Sequence, residues 1–63
     1  MIQIEIKNKQ LNLNNRQELI IEIEDLDGDS FHIHTNSGVY CFLLSETKIN
    51  DVIYNNINQL INL

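Results

Sequence analysis

Basic side chains are scarce in this 63-residue chain: Lys7, Lys9, Arg16 and Lys48 stand against nine acidic residues, for a formal charge of −5. A surface of that sign repels phosphate backbones instead of collecting them, which argues against direct nucleic-acid binding. Cysteine occurs once, at Cys41, so an intrachain disulfide is excluded. Proline is absent and arginine nearly so, beside abundant asparagine and isoleucine; that bias belongs to AT-rich coding sequence, not to a function. No run approaches the roughly 20 apolar residues that span a bilayer, and the amino terminus lacks the basic segment and apolar core of a secretion signal. A cytoplasmic protein with a reduced thiol and no membrane contact is expected.

Catalytic signatures are missing too. His32, His34, Cys41, Ser45 and several carboxylates are present, but a nucleophile needs a base and an orienting group inside a water-excluding pocket. There is no phosphate-binding glycine loop and no dinucleotide fingerprint. The expectation is a protein that is not an enzyme and uses no cofactor.

The chain has the length of one domain, residues 1–63. A globule of this size buries only about 60% of the surface its unfolded chain exposes. Without disulfides, the simplest added support is an oligomer, and a homodimer is expected.

Hydrophobic patterning indicates strands through most of the chain. Ile2, Ile4 and Ile6 alternate with polar residues, and a two-residue loop at Asn8-Lys9 sets Ile6 opposite Leu11 and Ile4 opposite Leu13. A third strand runs from about Glu18 to Asp25, with Ile21 and Ile23 on one face and Glu22 and Glu24 on the other. Phe31 to Thr35 follows, and a three-residue loop over Leu26-Asp27-Gly28 places Glu22 and Glu24 across from His32 and Ser30. Asn36-Ser37-Gly38 makes the next turn; an even loop there gathers Phe31, Ile33, Tyr40, Phe42 and Leu44 on one face and leaves Val39, Cys41 and Leu43 beside the histidines. A three-residue loop closing on Gly38 swaps those sets, and the even loop is preferred because it gathers the aromatics into one core. From about Glu46 the spacing of Ile49, Val52, Ile53, Ile57, Leu60 and Ile61 predicts an amphipathic helix, capped by Ser45 or Thr47. The fold class that results is α+β: a meander of hairpins, an antiparallel sheet of four to five strands, packed against one C-terminal helix.

The most distinctive feature is acidic. Five of the nine acids, Glu22, Glu24, Asp25, Asp27 and Asp29, fall within eight residues around the turn dipeptide Asp27-Gly28. A calcium loop is excluded, because Gly28 precedes Asp29 and the closing twelfth position, counted from Asp25, is Asn36. His32, His34 and Cys41 are the weak candidates for a metal; a ligand set this small is also what surface histidines beside a semi-buried thiol look like, and no metal site is assigned from it. The five acids are instead assigned as a partner-binding ridge that fits a basic groove on another protein. In size, charge and lack of catalytic motifs the chain is similar to short acidic inhibitors that phages and other mobile elements direct against nucleic-acid-binding host proteins. That likeness implies a protein partner with a basic surface, and a host-cytoplasmic location if the source is a phage. The alternative is a homo-oligomeric structural or accessory module.

Overall fold

Three pairs of left-handed residues, each led by asparagine, punctuate the backbone: Asn8-Lys9, Asn14-Asn15 and Asn50-Asp51 all have φ between 51° and 66°. Asparagine tolerates this region better than most residues, and two such residues in succession make the tight turn that matches the twist of paired strands. In the computed structural model, which describes residues 1–61 and 63, these turns organise a single six-stranded sheet. Its strands are β1 (Ile2–Lys7), β2 (Gln10–Leu13), β3 (Arg16–Asp25), β4 (Ser30–Thr35), β5 (Gly38–Leu43) and β6 (Thr47–Ile49). They lie in the order β5-β4-β3-β2-β1-β6, and a four-residue helix, α1 (Asn58–Ile61), follows.

The expected hairpins largely form. Ile6 pairs with Leu11 across the Asn8-Lys9 turn. Phe31 faces Phe42, Ile33 faces Tyr40 and His32 faces Cys41, as the even turn at Asn36-Ser37 requires.

Two details of β3 differ from expectation. It begins at Arg16, directly after the Asn14-Asn15 turn, two residues earlier than the alternation suggests. Its pairing with β4 also slips between Ile20↔Thr35 and Glu22↔His34, so Ile21 is an extra, bulged residue. Ile21 is therefore 69% exposed, while Ile20 and Ile23 pack on the core. A bulge bends its strand and increases local twist. Here it lies two residues past the segment of β3 paired with β2, near the start of the stretch paired with β4.

The largest correction concerns the C-terminal third and the count and sense of the strands. The long helix from Glu46 does not form. Leu44–Glu46 is a single 3-10 turn, Thr47–Ile49 is a sixth strand parallel to β1, and Ile49 and Val52 close a small hairpin over Asn50-Asp51. The sheet is mixed, with six strands in place of four or five antiparallel ones. The cause lies in residue type. Thr47, Ile49, Val52, Ile53 and Ile57 are β-branched, and Asn50, Asn55, Asn56 and Asn58 compete for backbone hydrogen bonds, so the segment has the spacing of a helix without its propensity. Ile49, Ile57 and Leu60 of the expected stripe are buried, but Val52, Ile53 and Ile61 are exposed. Thr47, expected as a cap, is buried in β6 and donates its hydroxyl to the Leu43 carbonyl at 2.6 Å.

That short link shapes the whole sheet. β5 and β6 occupy opposite ends of the strand order, yet only three residues separate them in the chain. The sheet must curl until its ends approach, and its Cα extents of 24 × 20 × 18 Å are too even for a flat single layer. Inside the curl lie Ile4, Ile6, Leu11, Phe31, Ile33, Phe42, Leu44 and Ile49, with Ile57 and Leu60 packed against them.

Candidate functional site

The outer face of the curl carries the chemistry. On β4, Phe31, Ile33 and Thr35 point inward and are buried, so His32 and His34 must project together on the opposite side. β3 places Glu24 opposite His32 and Glu22 opposite His34. The expected parity of the loop is correct, but its position is shifted by one residue. Leu26 donates its N–H to the Ser30 carbonyl at 3.1 Å, closing the turn over Asp27-Gly28-Asp29, so Glu24 faces His32 instead of Ser30.

The five sequence-assigned acids do not make one continuous line. Glu22 and Glu24 share the outer face, whereas Asp25 is opposite the buried Phe31 and leaves from the other side at the strand end. Asp25 and Asp27 also have structural work. Asp25 Oδ1 accepts the Gly28 N–H at 2.8 Å, while Asp27 Oδ1 accepts from the N–H groups of Asp29 and Ser30 and from the Ser30 hydroxyl. The backbone bonds from Ser30 and then Asp29, with the Ser30 hydroxyl, hold the Asp27 carboxyl below the usual aspartate range. Self-capping of this kind is why aspartates flank a glycine in a tight turn. All five acids remain exposed, so the tip keeps its charge.

Glu24 is the hub of the outer face. Its Oε1 lies 2.9 Å from His34 Nε2 and 3.3 Å from His32 Nδ1, and the two imidazoles stand edge to face with centroids 5.8 Å apart. The hydrogen bond from His34, then that from His32, keeps the Glu24 carboxyl below the usual glutamate range. Cys41, grouped with the histidines in the sequence reading, is exposed on β5 opposite His32 and lies outside this cluster. Glu24 takes its place. The observed β3–β4 register, one residue away from the expected one, makes that exchange by setting Glu24 opposite His32.

Glu18 is a further acid that patterning overlooked. It pairs with Leu11 and so points inward, where its side chain is 6% exposed. Thr35 Oγ1 donates to its Oε1 at 2.6 Å, the Tyr40 hydroxyl donates to its Oε2 at 2.5 Å, and Arg16 lies 3.2 Å away. The bonds from Thr35 and Tyr40 outweigh burial and lower the Glu18 pKa, while the bond to Glu18 raises that of Tyr40. With every buried polar atom of the described side chains partnered, this group ties β3 to β4 and β5; its role is structural.

A pH dependence follows from these directions. Glu18, Glu24 and Asp27 all titrate lower in the folded chain than in the unfolded one. On acidification the unfolded chain binds protons first, so the stabilisation is complete above the ordinary carboxylate range and is lost as pH falls through the folded pKa values. The thermal midpoint should therefore hold steady near neutrality and drop below about pH 5. Glu18→Gln should lower the neutral midpoint and make the acid drop shallower. A midpoint that rises on acidification contradicts the assignment.

Charge is unevenly distributed along the chain, although Lys9 of the β1–β2 turn lines the same cavity as Glu22. Residues 17–47 contain seven of the nine acids, and neither lysine nor arginine. Among the described residues, no helix is long and apolar enough to cross a membrane. Comparison of the chain with known protein families, with curated proteins and with solved structures finds no match in any of the three.

Proposed function

We propose that the protein is a small acidic protein-binding module that sets the outer face and tip of the β3–β4 hairpin against a basic surface on a protein partner. The segregation of charge carries this reading: apart from the buried Glu18, every acid of residues 17–47 is exposed, and no lysine or arginine in that stretch opposes them. A predominantly acidic surface draws a basic partner from a distance and raises the association rate. The specific form we favour is occupation of a nucleic-acid-binding groove, in the manner of the phage inhibitors. Glu22 and Glu24 are two residues apart on one strand face, a separation of about 6.5 Å at about 3.3 Å per residue, which is a phosphate-like spacing.

The test neutralises charge without disturbing the turn. Asp27 caps three donors and is best left alone, whereas Glu22 and Asp29 accept no side-chain hydrogen bond among the described residues. The set Glu22→Gln, Glu24→Gln and Asp29→Asn should leave the fold intact, because exposed charges contribute little to stability. Affinity for a basic protein partner captured by the wild-type chain should fall sharply. Wild-type binding should weaken as salt rises, and the triple variant should respond much less.

A second reading has its own observation. Val39 (57% exposed), Cys41 and Leu43 (48% exposed) line the outer face of β5, an edge strand with no charged side chain. Unguarded apolar edges are where strands of separate copies join, which favours a homo-oligomeric module. The same salt titration separates the two readings, since an apolar self-interface is not weakened by screening and survives the triple substitution.

A further inference from the structure

β4 is anchored from beneath. Its inward side chains, Phe31, Ile33 and Thr35, are buried, and β3 and β5 flank it on both sides. The two histidines above it therefore rise from a fixed strand, the kind of support that preorganises a binding site. They also converge. A surface ion pair needs one imidazole for one carboxylate, yet here His32 Nδ1 and His34 Nε2 both approach the same oxygen, Glu24 Oε1, at 3.3 and 2.9 Å. One donor atom from each of the three residues lies within 4.8 Å of the other two.

Those dimensions suit a metal ion. Tetrahedral zinc bonds of about 2.0 to 2.1 Å place neighbouring donors about 3.3 to 3.4 Å apart, so the observed trio needs only small side-chain adjustments. The donor set also selects the ion. Two imidazoles and one carboxylate suit zinc, nickel or copper(II), whereas magnesium and calcium prefer oxygen throughout. We propose that Glu24, His32 and His34 form a surface site for one divalent transition-metal ion of the zinc class.

Binding rearranges protons without changing their number on neutral rings. As hydrogen-bond donors to Glu24, His32 carries its proton on Nδ1 and His34 on Nε2; as ligands those nitrogens present lone pairs, and the protons move to His32 Nε2 and His34 Nδ1. Glu24 changes from acceptor of two N–H groups to third ligand. The remaining coordination position faces solvent, because all three side chains are partly exposed, and water fills it. Cys41 and Glu22 neighbour the histidines across the sheet but stand outside the trio.

The experiment is a titration of the intact chain with Zn²⁺ in a competing chelator buffer, followed in parallel by NMR of the histidine ring nitrogens. One ion per chain should bind, with both rings changing tautomer as it does. His32→Asn, His34→Asn and Glu24→Gln should each weaken binding by at least about tenfold, while Glu22→Gln and Cys41→Ser leave it unchanged. Circular dichroism checks that each variant is folded, as partly exposed positions predict. Absence of saturable binding by the wild-type chain overturns the proposal. So does binding that the three ligand substitutions leave intact, or that Glu22→Gln or Cys41→Ser weakens as much as they do.

Discussion

Phe31→Ala should leave about half or more of the molecules unfolded at room temperature. Phe31 is fully buried at the centre of the curl, its ring tilted 37° against that of Phe42 with centroids 5.6 Å apart. Removing it costs about 3 to 5 kcal/mol, through lost transfer free energy and the cavity left behind. A core in a domain below about 70 residues rarely supplies more than about 3 to 5 kcal/mol in total, so the two numbers cancel. Circular dichroism should show loss of the sheet signal without added denaturant.

A milder pair of substitutions in the same experiment tests the chain path after β5. Ile57 is 4% exposed and Ile53 is 49% exposed. Ile57→Ala should cost about 2 to 5 kcal/mol, and Ile53→Ala no more than about 0.5 kcal/mol. A continuous helix would place these residues, four apart, on one face and make them equally sensitive. Equal losses in urea unfolding would restore a helix through residues 53–57.

The second large effect is expected at Asn50. Its side-chain amide reads the backbone of Ile6 in both directions: Oδ1 accepts the Ile6 N–H at 2.9 Å, and Nδ2 donates to the Ile6 carbonyl at 3.0 Å. Its own N–H donates to the Ile4 carbonyl at 3.1 Å. The residue thus continues the β1–β6 ladder past the last residue of β6, while its φ of 52° begins the turn. Asn50→Ala leaves two partly buried backbone groups without partners, at about 1 to 3 kcal/mol each, and adds the strain of alanine in a left-handed conformation. Asn50→Gly removes the amide but accepts the backbone angle. Urea midpoints should therefore rank wild type above Asn50→Gly and Asn50→Gly above Asn50→Ala. If glycine matched wild type, the amide bridge would contribute nothing.

The acidic tip shows how local the legible part of a site can be. Asp27 and Gly28 mark a turn by residue type alone, and the expected odd loop over the wrong three residues was enough to put glutamates beside histidines. Placing Glu24 against both rings required the Leu26–Ser30 closure, a shift of one residue that single-strand alternation does not encode. Asn50-Asp51 is the opposite case. The same kind of pair as Asn8-Lys9 and Asn14-Asn15, it was hidden within an apolar spacing that matched a helix.

The sequence by itself determined the strands that alternate, the two-residue turn at Asn8-Lys9, the inward set of Phe31, Ile33 and Phe42, and the concentration of acids in one hairpin. These follow from the two-residue period of a strand and from turn residues next to one another in the chain. Only the tertiary structure decided that β6 runs parallel to β1, that Ile21 bulges outward, that Glu18 turns inward to Thr35 and Tyr40, and that Glu24 joins both histidines. Each of these depends on partners distant in sequence: a parallel pairing and a bulge are properties of two strands together, and a carboxylate's environment is set by whichever strands the register brings beside it.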